Sequence, residues 1–192
     1  MTVIACADVG LPRRVLVDSK SLVYSAIGGP VSDLEELSPR ELLSLHAKIM
    51  EELRVRGILR SSNNPTADLA EVLFCRAFRW TRADTNSSPN IDAIGADGAR
   101  YQIKGRRLTR HNTSRQLGAI RDFAGRHFDY LAGVLFAEDH TVLRAALVPY
   151  SVVAERASFV KRTNSHRFVL HEDVWSASGV RDVTQELGAI IL

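Results

Sequence analysis

Cysteine is nearly absent from this 192-residue sequence. The two present, Cys6 and Cys75, supply neither a disulfide framework nor a four-thiolate metal site. They read as free thiols of a reducing compartment. Long apolar runs are missing as well: no stretch approaches the ~18 residues of a membrane span, and Met1–Gly10 lacks the basic start of a leader. The expectation is a soluble, cytoplasmic protein with no membrane partner. There is no internal repeat, no low-complexity tract, no Gly-rich phosphate loop and no Ser/His/Asp arrangement. The six histidines show no metal-ligand spacing, and His111-Asn112 reads as polar loop. What remains is ordinary globular composition, 45% apolar and 24% charged, enough for one compact domain.

Charge is scarce overall and concentrated locally. The net value is only +3, yet residues 100–128 carry eight basic groups against the single acid Asp122. The basic groups are Arg100, Lys104, Arg106, Arg107, Arg110, Arg115, Arg121 and Arg126. Arginine dominates the run, and its planar fork of donors suits phosphate. A solvated basic face is the plain reading of such a run, and nucleic acid the sharper one.

Along the chain, residues 1–37 form an N-terminal extension with β-prone runs at Arg14–Asp18 and Leu22–Ile27, ahead of Gly28-Gly29-Pro30. From residue 38 to residue 192 the signals describe one domain. Ser38-Pro39-Arg40-Glu41 is a capping box with Pro at the first helical position. Leu42, Leu45, Ile49 and Leu53 follow at helical spacing, and Gly57 stops the helix. A second helix is expected from about Thr66 to Arg79. Two strands then flank Ala96-Asp97-Gly98, at about Asn90–Gly95 and Ala99–Leu108. Thr113 or Ser114 caps an expected third helix with Leu117, Ile120 and Phe123 on its buried side. Strands at Tyr130–Phe136 and Val142–Val148, a short helix at Ser151–Arg156 and a strand at Arg167–Leu170 complete the pattern. The expected class is α/β, a central mixed β-sheet flanked by helices.

The chemistry-bearing residues gather around the hairpin. On an extended strand Gln102 and Lys104 share a face, while Tyr101 and Ile103 take the other. Asp92 stands in the strand before. With a three-residue turn at Ala96-Asp97-Gly98 and Gly98 left-handed, Asp92 falls opposite Gln102; a two-residue turn puts it on the Ile103 face. Glu71, on the second helix, falls at the margin of the apolar arc, where an unpaired carboxylate is costly. A divalent cation is one partner for it; a surface ion pair with Arg76 or Arg79 is the other.

Glu71 on a helix, then Asp92, then Gln102-x-Lys104 on the next strand, resembles the PD-(D/E)XK nuclease superfamily. The Gln in place of the middle acid is similar to the Mrr-type restriction endonucleases. The resemblance runs by element order from about Ser38 to Val148 and implies a restriction-endonuclease-like fold. It implies DNA phosphodiester hydrolysis with Mg²⁺ or Mn²⁺, in restriction, defence or repair. Asp92, Gln102, Lys104 and Glu71 would be the catalytic set. Asp92, the Gln102 side-chain oxygen or Ile103 carbonyl, and Glu71 would face the metal. Arg106, Arg107, Arg110 and Arg115 would hold phosphates. Cutting both strands of a duplex calls for two sites, hence a homodimer. The chain departs from the family in having Asn90-Ile91 between Pro89 and Asp92, and in the neutral Gln102. That second departure favours a rival with the same fold, a catalytically degenerate DNA-binding or assembly module. A third reading is a protein-interaction domain whose basic stretch meets an acidic partner.

Overall fold

A computed structural model describes residues 34–61, 64–83 and 90–192. The expected N-terminal strands, Gly28-Gly29-Pro30 and Cys6 lie outside them. The chain divides into two compact units, Met1–Lys48 and Ile49–Leu192. In the first, a 3₁₀ turn at Leu34–Glu36 precedes helix α1 (Pro39–Val55), within which the division falls. The expected capping box is formed: the Ser38 N–H donates to Glu41 Oε2 at 2.8 Å, and the Glu41 N–H donates back to Ser38 Oγ. After the helix, Gly57 takes φ +71°, the left-handed stop its position demanded.

The second unit is a mixed sheet flanked by helices. Helix α2 (Pro65–Phe78) begins at Asn64, whose side chain accepts the Thr66 N–H, with Pro65 in the first turn. The strands are β1 (Thr81–Arg82), β2 (Ala93–Ile94), β3 (Arg100–Arg107), β5 (Tyr130–Phe136), β6 (Val142–Pro149) and β9 (Arg181–Asp182), in the order β1-β2-β3-β5-β6-β9. Only β3 and β5 run parallel. A second sheet, ordered β4-β8-β7, comprises β4 (Ile120–Arg121), β7 (Ser158–Val160) and β8 (Ser165–Arg167). Helices α3 (Tyr150–Arg156) and α4 (Thr184–Gly188) complete the set. No helix among the described residues is long and apolar enough to cross a membrane.

Strand alternation explains why both faces of the main sheet are dry. Along β5, Ala132, Val134 and Phe136 join a core with Leu69, Ala70, Leu73 and Phe74 of α2 and Leu187 of α4. Leu131 and Leu135 join the opposite core, with Leu117, Ile120, Phe168 and Leu170. Each side chain as fully buried as Phe74 or Leu131 contributes about 1.5–3 kcal/mol of apolar burial. Trp80 stacks on Tyr101 with ring centroids 3.6 Å apart, so it belongs to the first core. Trp175 donates its Nε1–H to the Ala145 carbonyl.

Two expected elements are corrected. The third helix does not form. Leu117, Ile120 and Phe123 are buried as their spacing required, but Leu117 and Ile120 lie on extended chain and Phe123 opens a 3₁₀ turn, Phe123–Gly125. The Leu117 N–H donates to the Phe168 carbonyl, the Leu170 N–H to the Arg115 carbonyl, and Ile120 pairs with His166. Gly118 and a left-handed Asp122 (φ +46°) weaken the local preference for a helix, and pairing with residues 165–170 prevails. The strand expected at Arg167–Leu170 starts earlier, at Ser165, and Val169 makes only an isolated bridge to Gln116.

Candidate active site

Hairpin register decides which side chains meet. Ala93 pairs with Tyr101 and Ile94 with Arg100, leaving Ala96-Asp97-Gly98 as the turn, with Gly98 at φ +80°. This is the three-residue turn expected from sequence; at the end of the ladder the Asp92 N–H donates to the Tyr101 carbonyl at 2.9 Å, so the paired residues stop short of Gln102. The β2–β3 ladder ends there. Beyond it the Ile103 N–H has no strand to meet, and it donates instead to Asp92 Oδ2 at 2.7 Å. In an extended strand the carbonyl of the same residue points to the same side, so the Ile103 carbonyl opens at this edge too. The Lys104 ammonium stands 3.6 Å from that same Oδ2, both side chains being about a fifth exposed.

Gln102 and Lys104 pair with Leu131 and Gly133 of β5, and so share the face of the second core. Gln102 is buried, and among the described residues its Oε1 has no hydrogen-bond partner. Such an orphan acceptor is costly without a cation or water beside it. Glu71 comes from α2, which packs on the other face of the sheet through Ala70 and Phe74. Its carboxylate pairs with Arg60 rather than with either arginine of its own helix; Arg76 donates to the Ile191 carbonyl instead. Burial pushes the Glu71 pKa up; the Arg60 charge pulls it back, and nearby Asp92 raises it further. The two acids therefore sense each other across the strand edge.

Two cations at this edge were missed by the sequence reading. Arg60 is held by Asp68, whose Oδ2 accepts the Arg60 and Ser61 N–H groups at 3.0 Å each and the Ser61 hydroxyl. No spacing rule links residues 60 and 71, so nothing in the pattern announced the pair. Arg82, on β1, acts electrostatically on both Glu71 and Cys75, and its buried Nη2 has no hydrogen-bond partner among the described residues. Burial still dominates at Cys75 and pushes its thiol pKa up, as a packed, inert thiol requires.

Asp68 gives a direct test of this turn. Burial alone would raise its pKa, but the Ser61 and Arg60 N–H groups, the Ser61 hydroxyl and the Arg60 charge outweigh it and hold the carboxyl below the ordinary range. Asp68→Ala leaves two backbone donors unmet and is expected to lower stability by about 1–3 kcal/mol at neutral pH. A depressed carboxyl pKa stabilises above the unfolded value and loses that effect as pH falls through the folded one. Urea titrations should therefore show the gap between wild type and variant closing in acid. A gap that is constant with pH would refute the argument.

The arginines expected to hold phosphate differ in their surroundings. Arg106, on the Lys104 face, donates to the Ser114 carbonyl at 3.0 Å. Arg107 lies on the opposite face, where its charge adds to burial in lowering the His140 pKa. Arg115 is paired with Glu172, and Arg110 donates to the His111 ring. Arg100 forms a forked pair with Asp129.

In kind, the donors expected for an ion suit a hard dication, since the Asp92 and Glu71 carboxylates, the Ile103 carbonyl and the Gln102 side chain all offer oxygen; Glu71 and Gln102, however, come from opposite faces of the sheet. In number they are few. Among the described residues no three His, Cys, Asp or Glu side chains are grouped to hold an ion. An ion held by so few protein ligands keeps much of its water, as Mg²⁺ commonly does. No family model matches the chain, and no curated protein matches its sequence.

Proposed function

We propose that this chain is a metal-dependent DNA endonuclease of restriction, defence or repair type, resembling the PD-(D/E)XK superfamily and its Mrr-type members with Gln in place of the middle acid. The observation that carries the reading is the Asp92 carboxylate, held at the end of the β2–β3 ladder between the Ile103 N–H and the Lys104 ammonium. The order of helix α2, antiparallel β1-β2-β3 and parallel β5 supports a restriction-endonuclease-like fold; the extended segment in place of a third helix departs from the expected pattern.

Asp92, Glu71, the Ile103 carbonyl and the Gln102 side chain are the groups that would hold Mg²⁺ or Mn²⁺. When bound, such an ion polarises a phosphodiester and acidifies its water. The chain's own residues supply the rest. Asp92 is oriented by the backbone of β3, so its carboxylate needs no reorganisation on loading. Lys104 carries a fixed positive charge to the same point, where it would stabilise charge growing on phosphoryl oxygens. Arg60 neutralises Glu71 and is well placed to exchange that contact for a substrate phosphate. A homodimer would present two such sites to the two strands of a duplex.

The neutral Gln102 and the want of a third grouped ligand favour a second reading, a degenerate module that binds DNA without cutting it. Purified protein on plasmid, branched and single-stranded DNA, with and without Mg²⁺ or Mn²⁺, separates the two. Cleavage that requires the metal and is retained or raised in Gln102→Glu is the expected result. If the wild type cuts none of these substrates and Gln102→Glu does not rescue it, the binding module takes the place of the nuclease.

A further inference from the structure

The second sheet gathers positive charge that no acid answers. No Asp or Glu occurs between Glu155 and Glu172, a stretch that contains both β7 and β8 and the turn between them. That turn, a 3₁₀ element at Lys161–Thr163, exposes Lys161 and Arg162 at the tip of the hairpin. Arg167 on β8 and Arg121 on β4 are also exposed. Among the described residues none of these four forms an ion pair, in contrast to Arg100 and Arg115 of the central run. Arg167 donates only to the Ser158 hydroxyl.

An apolar group lies on the same hairpin as Lys161 and Arg162, while strand alternation turns Arg121 and Arg167 to the other face. Phe159 is 57% exposed, the only aromatic side chain among the described residues left open to solvent. Register places Phe159, His166 and Ile120 in one row across the three strands. Ile120 is fully buried and the His166 ring lies between two phenylalanines, 4.7 Å from Phe123 and 5.3 Å from Phe159. The row thus runs from the core out to an exposed ring on a rigid support.

The sheet also lies on the relevant side of the molecule. Gly118 leads into β4, and a Cβ there would sit 3.5 Å from Lys104 Cδ. Leu117, Ile120, Phe168 and Leu170 pack against the face of β5 that Gln102 and Lys104 share.

We propose that the β7–β8 hairpin of this sheet is a duplex-DNA-binding surface, with Lys161 and Arg162 of its turn on phosphates and the Phe159 ring against the exposed nucleotide surface. A two-stranded ribbon fits the major groove, and an apolar ring beside unpaired cations suits nucleotides better than an acidic protein. The proposal deepens the endonuclease reading by naming the surface that holds its substrate, and moves the main contact away from Arg106, Arg107, Arg110 and Arg115.

The test is fluorescence anisotropy of a short fluorescein-labelled duplex across a salt series, without divalent cation so that binding is read apart from cleavage. Single-stranded DNA, duplex RNA and a heparin fragment serve as parallel probes. The double variant Lys161→Ala/Arg162→Ala should reduce the slope of log K against log salt by about two units. Phe159→Ala should weaken binding about tenfold with the slope unchanged, and Phe159→Tyr should restore it. Circular dichroism of these exposed-site variants should match wild type. Wild-type affinity in both the double variant and Phe159→Ala overturns the proposal. So does tighter binding of single strands or RNA than of duplex DNA, or heparin binding as tight as DNA with no effect of Phe159→Ala. If the hairpin variants lose binding but the wild type cuts nothing once metal is added, the endonuclease reading alone fails. If they bind normally and the protein cuts, this surface alone fails.

Discussion

Asp92→Asn is expected to abolish metal-dependent cleavage while leaving the fold in place, and Lys104→Ala to slow it ~100–1,000-fold. The choice of Asn follows from the geometry. The Asp92 side chain accepts the Ile103 N–H at 2.7 Å, and an amide oxygen can keep that bond where Ala would strand a backbone donor. What Asn removes is the charge. Lys104→Ala removes the opposite charge but no backbone contact, so metal binding should survive it. The two variants therefore part company in a metal titration followed by intrinsic fluorescence or calorimetry. Asp92→Asn should lose the binding isotherm, and Lys104→Ala should keep it. Full cleavage in Asp92→Asn would remove the carboxylate from the mechanism, and unchanged rate in Lys104→Ala would return the lysine to a plain strand-edge ion pair.

The second large effect concerns Gly105. A Cβ at this position would stand 2.8 Å from the Thr66 carbonyl oxygen, 3.0 Å from Ala70 Cβ and 3.2 Å from the Phe136 ring. The first of these is helix backbone, which cannot rotate away. Gly105→Ala is therefore expected to cost about 1–3 kcal/mol, and Gly105→Val more, by forcing α2 off the sheet. Because α2 carries Glu71, the same displacement separates Glu71 from the strand edge where Asp92 sits. Chemical denaturation should show a lower midpoint with an unchanged m-value. Cleavage should fall with it under conditions where the variant is still folded. A midpoint equal to wild type would mean that helix and strand have slack the structure does not display.

The same residues show how much could be read in advance. The hairpin was legible because strand alternation and turn length are local: once Gly98 is allotted the left-handed position, the pairing of Ala93 with Tyr101 follows. Helix α1 was legible from its capping box and apolar spacing. The segment after Ser114 was not. Its apolar residues at 117, 120 and 123 satisfy a helical face, yet the partners that draw out residues 117 and 120 as extended chain lie about fifty positions later, at Phe168 and His166. Arg60 and Arg82 were missed for a related reason. Their roles come from tertiary proximity to Glu71, with no sequence spacing to reveal it. The basic run was counted correctly, but charge along a chain does not report which arginines already hold a carboxylate. Arg115 and Arg100 do, while Lys161 and Arg162, outside the run, do not.

The Arg60–Glu71 and Lys104–Asp92 pairs carry a consequence for how the protein is made and kept. Each acid of the candidate site already has a cation drawn from the chain itself. A small metalloprotein whose ligands repel one another must capture its ion in order to fold, and chelation then unfolds it. On the proposed endonuclease reading, folding does not wait for the ion. The polypeptide would complete itself in a metal-poor setting, persist through chelation as an intact but idle protein, and resume cleavage when the ion returns.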